Sequence, residues 1–453
     1  MIEKPGREAI VVGGGLAGCE AAWQIARRGH LVRLYEMRPV RKTAVHRTDR
    51  LAELVCSNSF KSNRMENASG LLKEEMRRCG SLILEMADRA RVPAGSALAV
   101  DRDRFAAEVT GTIGGNSNIR ILREEVTEIP EEGPAIVATG PLVSDRMADS
   151  IARFTGRNHL YFFDAVSPII EAESIDTTVA FPGSRYGKGG DDYLNCPMNE
   201  EQYSAFIEAL LRAENRPPQE FEKIPFFEGC LPIEELARRG KDTPRFGPMR
   251  PVGLRDPRTG QRPYAVVQLR QDNLAASHYS MVGFQNSLRW GEQKEIIRRI
   301  PGLEKAEFVR LGMIHRNSYI NAPKVLLPTL QCRRRQDLFF AGQISGVEGY
   351  LESSASGLIA GINTALLLED REPLVLPETT ALGALLHYVA NAEPENYQPT
   401  NISFGLLPPL SIRNRRKRNQ ALGERALADL QKFLVQIRPE TTGADRAGDG
   451  LAG

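Results

Sequence analysis

Two cysteines stand apart from the other four in this 453-residue chain. Cys56 lies in the polar stretch Leu54-Val-Cys-Ser-Asn-Ser-Phe-Lys-Ser62, and Cys230 in Phe226-Phe-Glu-Gly-Cys-Leu-Pro-Ile-Glu234. The Ser, Asn and Lys near Cys56 supply donors and a cation that favour thiolate. Gly229 lets another molecule approach Cys230, and Glu228 is placed to relay a proton. A thiolate so placed adds to an electron-poor ring carbon; the bland alternative for each is a small apolar loop residue. His315, with Arg316 and Asn317 beside it, is a candidate for stacking on a planar ligand or for proton transfer. Asp272-Asn273 and Gly283-Phe-Gln285 are further loop candidates for ligand contact. Arg413, Arg415, Arg416, Lys417 and Arg418 put five basic residues into seven positions, and Arg333-Arg334-Arg335 adds three more. Such runs pair with phosphates or form a solvated face. No aromatics interleave with the 413–419 run, so base stacking there is not implied.

These groups need a scaffold, and the N-terminus announces one. Ile10-Val11-Val12 reads as a buried strand, followed by Gly13-x-Gly15-x-x-Gly18, a helix through Ala21, Ala22, Ile25 and Ala26, and a second strand from Leu31 to Tyr35 ending in Glu36. Gly13 permits the tight turn, Gly15 the approach of a pyrophosphate, and Gly18 close helix–strand packing. Gly14, Leu16 and Ala17 complete the turn, whose helix N-terminus presents free N–H groups to phosphate. Glu36 is positioned to bond ribose hydroxyls. Late in the chain, Leu338-Phe-Phe-Ala-Gly-Gln343 leads through Ile344-Ser-Gly-Val-Glu-Gly349 into a small-residue helix from Ser353 to Ala365. FAD enzymes usually read Ala-Gly-Asp at this point; here Gln343 follows Gly342. The two segments together argue for FAD rather than a mobile NAD.

The expected fold is α/β: a Rossmann-like FAD-binding domain of the two-dinucleotide-fold flavoprotein type with an inserted α+β substrate domain. Residues 1–160 form the first part of the FAD domain. Aromatics, prolines and short strand-like runs mark 161–319 as the insertion that receives substrate. Residues 320–437 return to the FAD domain and carry the basic segment, and 438–453 read as a disordered tail. Asp103 is expected to cap the helix through Phe105, Ala106 and Val109. Hydrophobic content of 42%, charged content of 26% and a net charge of +2 are those of an ordinary soluble protein, so global charge demands no nucleic acid. No apolar run of about 18 residues is present, so no membrane span or membrane partner is expected. The N-terminus lacks a signal-peptide pattern, which points to the cytoplasm. Six cysteines without metal spacing argue against a disulfide framework or a metal site.

Taken together, VVGGGLAGCEAAWQIARRG, LVCSNSFKS, VPAGSALAVDR, FEGCLPIEELARRG, DTPRFGPMRPVGL, MVGFQ, HRNSYINAP and AGQISGVEGYLESSASGLIAG resemble the folate- and FAD-dependent tRNA (uracil-5-)-methyltransferases. The resemblance covers roughly residues 8 to 437. It implies methylation of carbon 5 of the T-loop uridine to ribothymidine, with methylenetetrahydrofolate as carbon donor, reduced FAD as reductant, and NADPH or NADH reducing the flavin. It also implies that one of Cys230 and Cys56 adds to carbon 6 while the other helps remove the carbon-5 proton, with Cys230 favoured as nucleophile. His315, Arg316 and Asn317 become candidates for folate or substrate contact, and the 413–418 run for tRNA phosphates. Family members read VGFQTHL where this chain has Val282-Gly-Phe-Gln-Asn-Ser-Leu288; His278 or His315 are candidates for the missing histidine's part. Two alternatives remain: a related flavoprotein that modifies the tRNA wobble uridine, and a FAD oxidoreductase acting on a small molecule.

Overall fold

The computed structural model describes residues 7–43, 45–156, 160–187, 189–214 and 231–437, with only the backbone described at 160–165 and 314–316. Cys230 and the 438–453 segment lie outside the described residues, as do the side chains of His315 and Arg316.

The apolar runs found in the sequence become the centre of a six-stranded sheet. Its order is Gln331–Cys332, Arg335–Phe340, Ala135–Val137, Glu8–Val12, Leu31–Tyr35, Ile119–Leu122. All pairings are parallel except that between the first two. Parallel strands are covered on both faces, which is why Ala9 to Val12 and Ala135 to Val137 are continuous apolar runs, fully buried. Val12 aligns with Tyr35 and with Val137, and Val137 with Phe340. Four strands therefore end level, and the turns that follow them open on one side of the sheet. Ligands of open α/β sheets bind at that edge.

The fingerprint helix Leu16–Ala26 packs against the long helix Tyr350–Leu368. Small residues allow this: a Cβ on Gly357 would come within 2.2 Å of the Ala17 carbonyl oxygen, and one on Gly361 within 2.6 Å of that of Ala21. The long helix is apolar and long enough to cross a membrane, yet it is buried as a core element of this domain.

A second sheet is antiparallel, ordered Phe181–Pro182, Tyr193–Met198, Ala265–Gln271, His278–Met281, Ile169–Glu171, Phe308–Arg310. It has its own core, including Cys196, Phe206, Met249, Val267 and Phe284. The chain passes into this part along Leu160–Val166 and returns along Met313–Tyr319, and those two strands pair antiparallel. The helix expected to start at Asp103 runs Arg102–Gly114 and is capped by Asp101, whose side chain accepts from the Arg104 amide at 3.0 Å. Asp101 is the extended residue at the end of the strand Ala97–Val100, so the cap falls there and Asp103 lies within the first turn.

Candidate active site

The level strand ends border a cleft lined by Gly13, Gly14, Gly15, Leu16, Ala17, Glu36, Thr139, Gly342, Gln343 and Tyr350. Gly13 has φ +111°, and a Cβ there would strike the Ala138 carbonyl; one on Gly18 would fall 1.8 Å from the Gly13 oxygen. At Gly15 a Cβ meets nothing within 4 Å, so protein contacts leave that space open, at the N-cap of a helix with no acidic residue in its first turn. The Thr139 hydroxyl is buried against the cleft without a hydrogen-bond partner among the described residues. An open cradle at a helix N-terminus and an orphaned hydroxyl in the same cleft fit a bound dinucleotide phosphate.

Glu36 sits at the cleft, but its carboxylate is already engaged. Oε1 accepts from the Arg38 amide and Nε, both at 2.9 Å; Oε2 accepts from the Gly14 amide at 3.1 Å and Arg38 Nη2 at 3.2 Å. Burial favours the neutral acid, but Arg38 outweighs it and holds Glu36 below the usual carboxylate range. A ribose hydroxyl therefore reaches Glu36 only if one of these four contacts yields. Gln343 donates from Nε2 to Glu348 Oε2 at 2.6 Å, so the residue in the usual Asp place is tied to a neighbouring carboxylate.

Cys56 lies at the edge of this cleft, next to Val55 and against Tyr350, both of which line it. Tyr350 Oη accepts from the Cys56 amide at 2.7 Å and the Ser57 amide at 3.2 Å, and lies 3.0 Å from Cys56 Sγ. Two N–H donors fill the lone pairs of the phenol oxygen, which leaves its own proton to point at sulfur. Burial, and then the neighbouring thiol, push the Tyr350 phenol well above its ordinary range, so it stays a donor. The residues expected to help Cys56 do otherwise. Lys61 Nζ bonds Glu352 and Asn401, each at 2.6 Å, and Asn58 bonds the Val100 and Gln271 carbonyls. The cations near the thiol come instead from distant segments, Arg102 and Arg270. Nothing in the local sequence around Cys56 signals them; the sign for Tyr350 was its place three residues before the helix start expected at Ser353.

Other expectations distribute unevenly. Asn317 is fully buried on the returning strand, and both amide atoms lack a partner among the described residues. Ser318 beside it bonds the carbonyl of Pro141, a cleft residue. Asp272 accepts from Arg102 Nε at 3.1 Å, whereas Asn273 bonds within its own loop to Ser277. Asn286 and Ser287, in place of the family's Thr-His, are buried; Ser287 bonds Glu234 through its amide at 2.7 Å and its hydroxyl at 2.6 Å. His278 faces Asn273 at 3.3 Å. Arg413, Arg415, Arg416 and Lys417 are exposed and Arg418 half-buried, around the start of the helix Arg415–Gln436. Arg333, Arg334 and Arg335 donate to the carbonyls of Ala390, Phe154 and Pro130, and the first two remain exposed.

A level-ended parallel sheet, a glycine cradle and a second small-residue helix at one cleft define a dinucleotide-binding α/β protein of the flavoprotein type. A family model described as glucose inhibited division protein A matches residues 8–372. The chain is 59% identical over 430 residues to a methylenetetrahydrofolate–tRNA-(uracil-5-)-methyltransferase of Pelotomaculum thermopropionicum, covering 94% of this chain and 98% of that one. It is 56% identical over 432 residues to the protein of the same name from Anoxybacillus flavithermus, covering 95% and 100%. Among solved structures, Aquifex aeolicus GidA superposes with a TM-score of 0.69 at 17% identity, over 96% of this chain and 74% of that one, which speaks to fold alone. The chain belongs to the methylenetetrahydrofolate–tRNA-(uracil-5-)-methyltransferase family.

Proposed function

We propose that this protein methylates carbon 5 of the T-loop uridine of tRNA, with methylenetetrahydrofolate as the carbon donor and FAD as its cofactor. The observation that carries the reading is the Cys56 thiol held by Tyr350 at the edge of the dinucleotide cleft. FAD, once bound, supplies reducing equivalents for the transfer, and NADPH or NADH replenishes them. Gly13 to Ala17, Gly18, Gly342 and Gln343 are the residues that would hold it, with Glu36 toward the ribose.

The residues of this chain do the rest. Carbon 5 of uracil is a weak nucleophile until a thiolate adds at carbon 6. Cys230 is the proposed nucleophile, and Cys56 the group that removes the carbon-5 proton, its sulfur fixed by the Tyr350 hydroxyl. Arg316 and Asn317 are proposed for folate or base contact together with His315, and Arg413, Arg415, Arg416, Lys417 and Arg418 for tRNA phosphates. The names of relatives at 55–59% identity favour this reaction over wobble-uridine modification or a small-molecule oxidoreductase. A tRNA substrate supports a cytoplasmic setting.

The test supplies isotopically labelled methylenetetrahydrofolate, reductant and unmodified tRNA to the flavin-loaded enzyme. Label is expected in ribothymidine; none, with folded protein, refutes the reading. With 5-fluorouracil at the target, Cys230→Ala is expected to lose the covalent RNA adduct and Cys56→Ala to keep it. The opposite result reverses the roles of the two thiols.

A further inference from the structure

Three guanidinium groups gather around one carboxylate, Asp272, and two of them, Arg102 and Arg270, lie within electrostatic reach of Cys56. Arg270 is spent on the protein: Nε donates to Asn58 Oδ1 at 2.7 Å and Nη2 to Ser57 Oγ at 3.0 Å. Arg102 opens the helix Arg102–Gly114; Nη1 donates to the Leu54 carbonyl at 2.9 Å and Nε to Asp272 at 3.1 Å. Its Nη2 is buried with no partner among the described residues. Arg310, at the end of the strand Phe308–Arg310, arrives from the other sheet, and its Nε and Nη2 are likewise buried without partners. Both Arg102 and Arg310 lie within electrostatic reach of Tyr350 and of Asp272. Burial, and then Arg102, pull the Arg310 guanidinium down to about 10, still protonated at neutral pH.

A buried cation with idle donors is costly, and proteins keep one where a negative charge arrives later. We propose that Arg102 and Arg310 form an oxyanion-holding pair for the O4 enolate of the target uracil, an inference that rests on the function proposed above. When a thiolate adds, a sulfur–carbon-6 bond forms and the C5–C6 π pair moves through C4, leaving the charge on O4; no proton moves. After carbon 5 has taken its new substituent, removal of its proton regenerates the same enolate. Collapse of that enolate restores the C5–C6 bond and expels the thiolate. The charge thus appears one atom from carbon 5, whose proton Cys56 is placed to take. Guanidinium is weakly hydrated and planar, and suits a delocalised oxyanion. Uracil O4 is neutral before addition, so the pair binds the charge only as it develops, and its effect falls on turnover.

Arg310 is the position to change, because its idle atoms hold no part of the fold. The comparison uses flavin-loaded wild type, Arg310→Met and Arg310→Lys, the labelled-folate assay, the rate of adduct formation with 5-fluorouracil-containing tRNA, and thermal melting. Wild-type labelling of ribothymidine must hold first; its failure would indict the function, not the pair. Arg310→Met is expected to lose about a hundredfold or more in kcat, the scale of one oxyanion donor. Its adduct rate should fall in parallel, its KM for tRNA should change little, and its melting temperature should hold or rise, because an uncompensated buried charge is gone. Arg310→Lys should recover part of the rate. Unchanged kcat and adduct rate overturn the proposal. A loss confined to KM for tRNA, steepened by salt, assigns Arg310 to RNA phosphate instead; a loss confined to KM for folate assigns it to the folate carboxylates. A melting temperature that falls along with activity makes Arg310 structural.

Discussion

Replacing Tyr350 by Phe removes a single oxygen from the junction of cleft and thiol, and its effect can be worked out from three contacts. The hydroxyl accepts from the amides of Cys56 and Ser57 and lies 3.0 Å from the Cys56 sulfur. Loss of the acceptor leaves two partly buried N–H groups to find water, at about 1–3 kcal/mol each if they do not. Loss of the donor acts on the thiolate. A hydrogen bond to a charged group contributes about 1.5–3 kcal/mol, so its loss should leave a smaller fraction of Cys56 as thiolate. The remaining thiolate is a better nucleophile, with a Brønsted slope of about 0.4–0.5, so alkylation at neutral pH should slow by about three- to tenfold rather than the full thiolate loss. The assay is iodoacetamide alkylation against pH, read by mass spectrometry of the Cys56 peptide in a Cys230→Ser background. Cysteines 19, 79, 196 and 332 are buried and serve as internal controls. An alkylation profile that does not move on Tyr350→Phe refutes the argument that this hydroxyl donates to sulfur.

Other expectations follow from packing and charge. Gly357→Ala places a methyl 2.2 Å from the Ala17 carbonyl, so it should cost about 1–3 kcal/mol or more in denaturant melts and reduce bound flavin, because Ala17 lies in the phosphate-binding turn. Gly15→Asp should instead spare the apo fold, since its Cβ meets only open space, and abolish flavin binding; full flavin content would refute the phosphate cradle. If the 413–418 run holds phosphates, changing Arg415, Arg416 and Arg418 together to Ala should lower the log–log salt slope of tRNA binding by about 2–3 while flavin content stays constant. Lys73 is fully buried with its ammonium on the carbonyls of Phe60 and Ser62, each at 2.7 Å, and burial, then Arg77, lower it to about 7. Between pH 7 and about 10 the unfolded chain binds the extra proton, so this group makes stability rise with pH; Lys73→Met should abolish that rise in melts across the window.

What was legible in the sequence was local. The Gly13–Gly18 turn, its flanking apolar runs and Glu36 carry their meaning within about thirty residues, because a βαβ unit is built from neighbours in the chain and glycine has specific backbone uses. The small-residue helix after Gly349 was legible for the same reason, although it begins at Tyr350 rather than Ser353. The reach of the local reading ended at Cys56. Polarity of the surrounding residues pointed to Ser, Asn and Lys as its supporters, yet the Lys61 ammonium is held by Glu352 and Asn401, and Asn58 serves Arg270.

By itself, then, the sequence determined the kind of cofactor cleft and the two thiols worth watching, since those depend on residue type and short spacing. Only the tertiary structure decided what surrounds Cys56. Tyr350 reaches it from nearly 300 positions away, a hydrogen bond between positions 56 and 350. Arg102, Arg270 and Arg310 come from a helix start and two strands of a different sheet. Their charges matter through distance and burial, and neither is written in the order of residues: an arginine on a strand reads the same whether its guanidinium is solvated, stapled to a carbonyl, or left buried with idle donors. The fold makes that choice by bringing the inserted sheet against the cleft, where water cannot screen it.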